Sequence, residues 1–226
     1  PEDIGPVRIK AGQRCRLSGS MDKEAGVLIM FYFIVNPKAR SAQGGMLWDK
    51  TSGILAARNV EYEAYFTEYT GHASRLARQI AALSVPCTLG VVGGDGTLNE
   101  VVNGLADTEY SHITLGYIPT GSGNDFARGL HLSSDVQSCM DSILAPREIV
   151  SVDLGLSRTK DNVRYFLVSS GIGYDADICR NVMASPLKKF FNRIHLGKLT
   201  YVVIALKLLM KYDPCPVCVR LDKKKT

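Results

Sequence analysis

Two acidic residues lie inside glycine-rich stretches of this sequence, where an acid is unexpected. Asp95 lies in VVGGDGTLNE (91–100), and Asp125 lies in PTGSGNDFARGL (119–130). Glycines let a backbone approach phosphate oxygens closely, whereas a carboxylate repels those oxygens. Each acid is therefore a residue of a surface turn or helix end, a ligand of a cation such as Mg²⁺ that faces phosphate, or a group that receives a proton.

The glycines of the two stretches predict a phosphate-binding site. Each of them can adopt positive φ or lie against a phosphate without a Cβ in the way. The sequence does not spell GxGxxG, and the lysine of GxxxxGK[ST] is absent, so the predicted site is of another kind. The predicted phosphate loops contain Gly93, Gly94 and Gly96 in the first stretch, and Gly121, Ser122 and Gly123 in the second.

A purely structural interpretation exists for most of the polar residues nearby. TLNE (97–100) fits a capping box, with Thr97 as the N-cap and Glu100 returning to its backbone N–H. Asn124 is predicted to cap a second helix, and Asp125 then complements the dipole of that helix. Asn99 and Asn103 fit ordinary residues of a helix face.

The elements that would position these loops alternate between strand-like and helix-like segments, which predicts an α/β fold. Apolar strands in such an order favour a parallel sheet with helices on both faces. The turns that follow strands one, three and four, NPKARSAQGG (36–45), GGDGT (93–97) and PTGSGND (119–125), should open on one edge. The segments, in order, are strand MFYFIVNP, helix 46–57, strand VEYEAYFT, helix HASRLARQIAALS, strand CTLGVVGG, helix TLNEVVNGL and strand ITLGYIP.

The pattern changes after about residue 130. A helix is predicted near 135–144, and two strand-like runs joined by TKDN (159–162) predict an antiparallel hairpin. GKLTYVVIALKLLMKY (197–212) has the apolar spacing of a helix. We predict a domain boundary within 130–147. The predicted organisation is a loose extension at 1–29, an α/β nucleotide-binding domain at 30–135 and an incomplete β-rich domain at 136–226.

The composition describes a globular protein with a core: 226 residues, 46% of them hydrophobic, with a mean hydropathy of +0.01. No apolar run reaches the roughly 18 to 20 residues of a membrane span, and charges within 1–29 argue against a secretory signal. We therefore predict a cytoplasmic protein with reduced cysteines. Cys215 and Cys218 form a CxxC, but no second CxxC or histidine pair accompanies it, so a half-buried strand is favoured over zinc or redox chemistry.

Positive charge is concentrated at the end of the chain. Residues 186–226 hold ten Lys and Arg against two Asp, a net charge of +8, whereas residues 1–185 hold 17 basic and 20 acidic residues, a net charge of −3. Such a segment is typical of a solvated helix face or of a contact with an anionic partner such as a membrane surface. Nucleic acid is not expected, because no recognition-helix pattern and no basic stretch interleaved with aromatics is present.

Four motifs together resemble one enzyme family. IVNPKARSAQGG, VVGGDGTLNEVVNGL, GYIPTGSGNDFARGL and SSGIGYDADI, in this order and spacing, are similar to the diacylglycerol kinase and sphingosine kinase catalytic-domain family, especially its bacterial lipid kinases. GGDGT alone also occurs in NAD kinases. The resemblance runs from about Phe31 to about Leu221. It implies transfer of the ATP γ-phosphoryl group to a hydroxyl of a membrane lipid such as diacylglycerol, by a protein peripheral at the inner membrane surface.

The resemblance also implies roles for individual residues. Asp95 matches an acid that acts as the base in sphingosine kinases and belongs to a metal-water network in the bacterial branch, so Asp95 is the predicted catalytic residue. Asp95 and Asp125 are the predicted Mg²⁺ ligands. Loop chemistry and resemblance together predict these ATP-binding residues: Asn36, Pro37, Thr67, Gly93, Gly94, Gly96, Thr97, Glu100, Gly121, Ser122, Gly123 and Asn124.

One departure from the family pattern concerns the end of the chain. Bacterial members carry a further Asp, assigned as general base, beyond a GGG segment, and this sequence ends at VRLDKKKT before either. The chain is then expected to be a fragment or a truncated product. The alternatives to a lipid kinase are an NAD kinase-like enzyme and a non-catalytic nucleotide-binding or membrane-binding fragment. The sequence is compatible with a homo-oligomer.

Overall fold

A four-stranded parallel sheet organises the first part of the chain. The computed structural model describes residues 29–184, 197–210, 220–221 and 224–225. The strand order is β2-β1-β3-β4, and every neighbouring pair is parallel, as the alternating pattern predicts. The four strands are β1 (Met30–Val35), β2 (Tyr62–Phe66), β3 (Cys87–Gly93) and β4 (Ile113–Pro119).

Helices connect and cover these strands, and shorter elements follow them. The predicted hairpin is present, because β5 and β6 pair in antiparallel fashion. The remaining elements are α1 (Ala39–Ala57), α2 (His72–Ala81), α3 (Asp95–Leu105), α4 (Asp125–Gly129), α5 (Val136–Leu144), β5 (Gly155–Arg158), β6 (Val163–Phe166), α6 (Tyr174–Ala184), α7 (Gly197–Leu209), β7 (Arg220–Leu221) and β8 (Lys224–Lys225).

The sheet is buried on both faces, which explains why its central strands are continuous apolar runs. On one face, Ile34, Leu89 and Val91 pack with α2 and α3 in one hydrophobic cluster. On the other face, Phe33 and Val92 pack with α1 and α5 in a second cluster. Alternate residues of β1 and β3 therefore point to opposite helical layers, and the predicted fold class is confirmed.

Helix α1 begins earlier than the sequence predicts. The expected helix was 46–57, but the helix starts at Ala39, inside the segment expected to be a long turn. The turn after β1 is reduced to residues 36–38. Gly44 and Gly45 disfavour a helix by propensity alone, which hides the start of α1 in the sequence. Close packing accounts for the glycine at position 44, because a Cβ on Gly44 would lie 2.1 Å from the carbonyl oxygen of Asn36.

The chain divides into two compact units between Ser169 and Ser170. In the second unit, α6 and α7 pack together, with Val182 and Ile204 buried. The predicted boundary within 130–147 differs from this division, since α5 and the β5–β6 hairpin belong to the first unit. The three predicted domains, at 1–29, 30–135 and 136–226, stay a prediction. Residues 1–28, the CxxC of Cys215 and Cys218, and most of the basic segment lie outside the described residues.

Two buried thiols lead to a prediction about alkaline stability. Burial raises the pKa of Cys87 and of Cys139 from 9.0 to about 11. Because folding favours the protonated thiol, this stabilisation is complete below pH 9 and is lost as the pH rises through 11. We therefore expect the free energy of unfolding, measured in urea, to fall over that range. The fall should be smaller in Cys87→Ala and in Cys139→Ala than in the wild type. A pH profile of stability identical to that of the wild type in both variants would contradict the assignment.

Candidate functional site

The carboxyl ends of the strands form one continuous edge. The backbone N–H of Asn36 donates to Val92 O, and that of Thr120 donates to Gly93 O, both at 2.8 Å. The N–H of Thr67 donates to Val35 O at 2.8 Å. The turns that follow β1, β2 and β4 are thereby tied to neighbouring strands. The turns that follow β1, β3 and β4 open on the same edge, as expected for a parallel sheet.

Side chains connect the first turn to the GGDGT turn. The Asn36 side-chain amide donates to Thr97 Oγ1 at 2.9 Å, and Asn36 Oδ1 accepts the N–H of Lys38 at 3.0 Å. Thr97 is buried. These contacts hold the turn after β1 against the first turns of α3.

Three of the predicted phosphate-loop glycines serve packing, Gly93 within its own stretch and Gly94 and Gly121 between the two loops. A Cβ on Gly93 would lie 2.6 Å from the side chain of Thr97, and a Cβ on Gly121 would lie 2.8 Å from Gly94 Cα. The loops after β3 and β4 therefore touch through Gly94 and Gly121. None of the loop glycines has the positive φ that the sequence analysis allowed for, since positive φ occurs among the described glycines at Gly71 and Gly173.

Gly96 and Gly123 differ from these packed glycines. A Cβ on Gly96 would meet no atom within 4 Å, and one on Gly123 would meet only carboxylate atoms at 3.4 Å or more. Both residues are exposed. Gly96 lies in the first turn of α3, where backbone N–H groups have no intrahelical acceptor and the helix dipole favours an anion. Gly96 is therefore the glycine of the GGDGT turn that is free to lie against a phosphate.

Asp95 joins the two glycine loops. Its Oδ2 accepts the backbone N–H of Asp125 at 2.9 Å, and its Oδ1 accepts that of Phe126 at 3.2 Å. Asp95 is the first residue of α3. Its carboxylate accepts the N–H groups at the start of α4. This contact gives the acid a structural task beyond those that the sequence analysis considered.

Asp125 lies beside this junction. Its carboxylate pairs with Arg128 within α4. A Cβ on Gly123 would lie 3.4 Å from Asp125 Oδ2 and 3.6 Å from Asp95 Oδ2, so the two acids converge on one point. Mg²⁺ in phosphoryl-transfer sites is commonly held by one or two carboxylates together with substrate phosphates. Among the described residues no cluster of three or more acids, histidines or cysteines exists, and the donor set fits this two-carboxylate arrangement.

Two predicted helix caps are wrong. Helix α3 has Gly94 as its N-cap, without a side-chain cap, and Thr97 lies inside the helix with its hydroxyl bonded to Asn36. The capping box of Thr97 and Glu100 therefore does not form. Asn124 is at the N-cap position of α4, but it has φ 53° and no side-chain cap bond. Its side-chain amide bonds instead to the backbone N–H and carbonyl of Gly121, which closes the loop on itself.

A polar cavity of about 280 Å³ lies between the first two turns. Four predicted residues line it: Asn36, Thr67, Thr97 and Glu100. Its other lining residues are Lys38, Glu68, Tyr69 and Thr70, which the sequence analysis did not single out. Lys38 Nζ donates to Glu68 O at 3.0 Å, and the Tyr69 ring stacks on His72 with centroids 4.5 Å apart. The cavity thus combines a lysine, an exposed aromatic ring and the carboxyl edge of the sheet.

Asn103 fixes the β5–β6 hairpin to α3. The sequence analysis took it for an ordinary residue of the helix face. Its side-chain amide donates to Tyr165 O at 2.9 Å, and its Oδ1 accepts the N–H of Tyr165 at 3.0 Å. The amide thereby pairs with the strand backbone as a neighbouring strand would.

We expect Asn103→Ala to release this hairpin. Loss of both bonds should lower the free energy of unfolding by about 1–3 kcal/mol, since it leaves two partly buried backbone groups unpaired. The amide hydrogen of Tyr165 should exchange faster with deuterium. Asn181→Ala is the control, because within the described ranges Asn181 bonds to Asp177 O, one turn back in its own helix, and to no second element. Equal protection of Tyr165 in the two variants would contradict the role of Asn103.

Comparison with known proteins places the chain in a family. Residues 30–156, more than half of the chain, match the diacylglycerol kinase catalytic domain. The chain belongs to this family. A Bacillus subtilis protein described as a candidate lipid kinase, YtlR, is 35% identical over 197 residues. That alignment covers 81% of this chain and 60% of the relative.

Other members of the diacylglycerol kinase family match shorter regions. A Staphylococcus epidermidis protein named diacylglycerol kinase is 45% identical over 113 residues, which are 50% of this chain and 34% of that protein. The crystal structure of a Bacillus anthracis diacylglycerol kinase matches with a TM-score of 0.44 and 31% identity, over 51% of this chain and 41% of that one. The chain therefore spans between about a third and 60% of the length of these relatives.

No helix in the described ranges is both long and apolar enough to cross a membrane.

Proposed function

We propose that this chain is the nucleotide-binding part of a kinase that transfers the γ-phosphoryl group of ATP to a hydroxyl of a membrane lipid such as diacylglycerol. The observation that carries the proposal is the junction of two glycine loops through Asp95, next to the polar cavity, in a chain of the diacylglycerol kinase family. Phosphoryl transfer depends mainly on alignment and on charge neutralisation, and this edge of the sheet offers groups for both.

The triphosphate is proposed to lie across the N-terminus of α3. Gly96 leaves open space there, and the helix dipole favours an anion. Gly94 and Gly121 support this arrangement indirectly, because they allow the two loops to pack, and Gly93 does so by leaving room for the Thr97 side chain. Lys38, in the polar cavity, adds a positive charge beside Asn36 and Thr97.

Asp95 and Asp125 are the proposed ligands of Mg²⁺. The metal would neutralise phosphate charge, which removes the repulsion that the carboxylates would otherwise exert. Each Asp95 oxygen accepts one backbone N–H and retains a second lone-pair direction for a further ligand. The two N–H bonds hold the carboxylate in one orientation, so a site built on it needs little rearrangement.

In the proposed reaction, the lipid hydroxyl oxygen bonds to the γ-phosphorus while the bond from that phosphorus to the β-phosphate oxygen breaks. The hydroxyl proton leaves to a base, and ADP is the leaving group. Asp95 is proposed to orient the hydroxyl or to accept its proton, since its carboxylate is the acid that bonds from one glycine loop to the other. Peripheral attachment at the inner membrane surface, aided by the basic segment of 186–226, is part of the same proposal.

The test is a direct assay of the full-length protein with ATP, Mg²⁺ and a panel of lipids presented in vesicles. We expect a phosphorylated lipid from one of diacylglycerol, a sphingoid base or phosphatidylglycerol. Absence of product from the whole panel, together with formation of NADP from NAD and ATP, would replace the proposal with an NAD kinase. ATP binding without any product would indicate a non-catalytic nucleotide-binding protein.

A further inference from the structure

The turn that joins β2 to α2 forms one wall of the polar cavity. Three consecutive residues of this turn, Glu68, Tyr69 and Thr70, line the cavity, and all three are exposed. Thr67, just before them, is buried, and its N–H is held by Val35 O at 2.8 Å. The exposed part of the wall needs a support of its own, because turns with few bonded backbone groups are mobile.

His72, the first residue of α2, provides this support. Its Nδ1 accepts the backbone N–H of Glu68 at 3.2 Å, and its own backbone N–H donates to Tyr69 O, also at 3.2 Å. Its ring lies flat against the Tyr69 ring, with an interplanar angle of 4°. One residue thus fixes both the backbone of the turn and the orientation of its aromatic side chain.

Lys38 holds the same segment from the turn after β1. Its Nζ donates to Glu68 O at 3.0 Å, so both backbone groups of Glu68 have side-chain partners on neighbouring elements. Gly71 has φ 88°, a value that favours glycine, and it turns the chain into α2. As the N-cap of that helix, Gly71 provides no side-chain cap. Side-chain anchoring of the turn to the start of α2 therefore depends on His72.

The chemistry of this turn fits the uncharged part of a nucleotide. The turn offers the cavity a carboxylate, an aromatic ring and a hydroxyl, whereas Lys38, the lysine of the lining, is bonded to the Glu68 carbonyl. Tyr69 is 53% exposed, and an exposed aromatic ring gives a nucleobase a surface on which to stack. Phosphate groups are favoured instead at the start of α3, near Gly96.

We propose that His72 is a positioning residue for nucleotide binding, which holds the turn after β2 in the shape that receives the nucleoside. The inference rests on the proposed kinase function and adds a residue to the set that determines ATP affinity. His72 does not line the cavity, so it acts through Glu68 and Tyr69. A turn that is ordered before binding loses less conformational entropy when the ligand arrives, which raises affinity.

Three substitutions at position 72 separate the hydrogen bond from the ring contact. Asn places its Oδ1 where His has Nδ1, so His72→Asn can accept the N–H of Glu68 but loses the stacked ring. His72→Phe keeps a ring against Tyr69 without an acceptor, and His72→Ala removes both. Asn and Phe have helix propensities close to that of His, so neither weakens the start of α2. Gln79→Ala is the control, because Gln79 is exposed two turns further along the same helix.

The measurement is isothermal titration of the full-length protein with ATP and with inorganic tripolyphosphate, each in the presence of Mg²⁺. We expect ATP to bind roughly tenfold more weakly to His72→Ala and His72→Phe, the upper range for loss of one hydrogen bond. Binding to His72→Asn and Gln79→Ala should stay within about threefold of the wild type. Tripolyphosphate lacks the nucleoside and should bind equally to all variants. Thermal unfolding verifies that each variant is folded.

Steady-state kinetics provide a second criterion. In His72→Ala the KM for ATP should rise, while kcat at saturating ATP stays within about twofold of the wild type. The positioning role is wrong, and the kinase proposal unaffected, if His72→Ala binds ATP as tightly as the wild type, if His72→Asn binds it as weakly as His72→Ala, or if tripolyphosphate loses as much affinity as ATP. Wild-type protein that does not bind ATP would contradict the proposed function itself, and this inference with it.

Discussion

Asp95→Asn is expected to reduce lipid phosphorylation about 100- to 10,000-fold, the range associated with loss of a general acid or base. The variant removes the negative charge that we propose for the metal and for the attacking hydroxyl. It also places an NH₂ group against one of two backbone N–H donors, because the carboxylate accepts those of Asp125 and Phe126. We expect a loss of about 1–2 kcal/mol in the free energy of unfolding, typical for hydrogen bonds to a charged acceptor at a partly exposed site.

Kinetic measurements distinguish the structural role of Asp95 from its proposed catalytic role. A residue that only positions the loops would change the KM for ATP and the melting temperature while leaving kcat within about tenfold. A residue that also touches the reacting groups lowers kcat. Asp125→Asn is the control for stability, since the Asp125 carboxylate pairs with Arg128 inside its own helix and, in the part of the chain that the structure describes, bonds to no other loop. If Asp95→Asn keeps wild-type kcat at saturating Mg²⁺ and ATP, the catalytic assignment is wrong.

Strand β4 shows why the fold could be predicted from the sequence. ITLGYIP is a largely apolar run bounded by polar turns, and the observed strand is Ile113–Pro119. In a sheet covered by helices, such apolar runs identify the strands. Helix α1 shows the limit of that method, because Gly44 and Gly45 break the apolar periodicity although both lie inside the helix. The backbone of Gly44 packs against the Asn36 carbonyl in the preceding turn, and the apolar pattern does not record this contact.

The location of the candidate site was also predictable, whereas the contacts within it were not. Parallel strands bring their carboxyl ends together, so the residues after β1, β3 and β4 had to share an edge. The same rule applies to β2, and it would have identified Tyr69 and Thr70 in the turn that follows. The bond from Asp95 to the N–H of Asp125 spans 30 residues. It depends on the separation of β3 and β4 and on where α4 begins, which no local pattern states.

The roles of the loop glycines also differ from the prediction, because they too depend on contacts that a local pattern does not encode. A glycine near a predicted phosphate site suggests close approach of a ligand, but the nearest atoms to Gly93 and Gly94 belong to Thr97 and Gly121. Glycine permits contact with the Thr97 side chain at position 93 and contact between the two loops at position 94. Gly96 belongs to the same motif, yet no atom lies within 4 Å of the position that its Cβ would take. The sequence does not distinguish it from Gly93 and Gly94, whereas the structure does.

Gly121→Ala is expected to disrupt both stability and nucleotide binding. The added methyl group would lie 2.8 Å from Gly94 Cα and 2.7 Å from Asn124 Oδ1, so the two loops must separate. Overpacking of this kind costs about 1–3 kcal/mol. Separation of the loops also weakens the contact of Asp95 with α4, and we expect the dissociation constant for ATP to rise at least tenfold. Urea unfolding and titration with a fluorescent ATP analogue measure the two effects.

Gly96→Ala is the matched substitution, because it adds the same methyl group where no atom lies within 4 Å. An alanine inside a helix is favoured over glycine by about 0.5–1 kcal/mol, so the free energy of unfolding should stay equal or increase. If a phosphate lies against Gly96, the methyl group occupies its place, and ATP binding weakens although the fold is intact. Unchanged ATP affinity in this variant would move the triphosphate away from the start of α3, while Gly121→Ala would still report on the contact between the loops. The pair of variants therefore separates the glycine that packs the site from the glycine proposed to face its ligand.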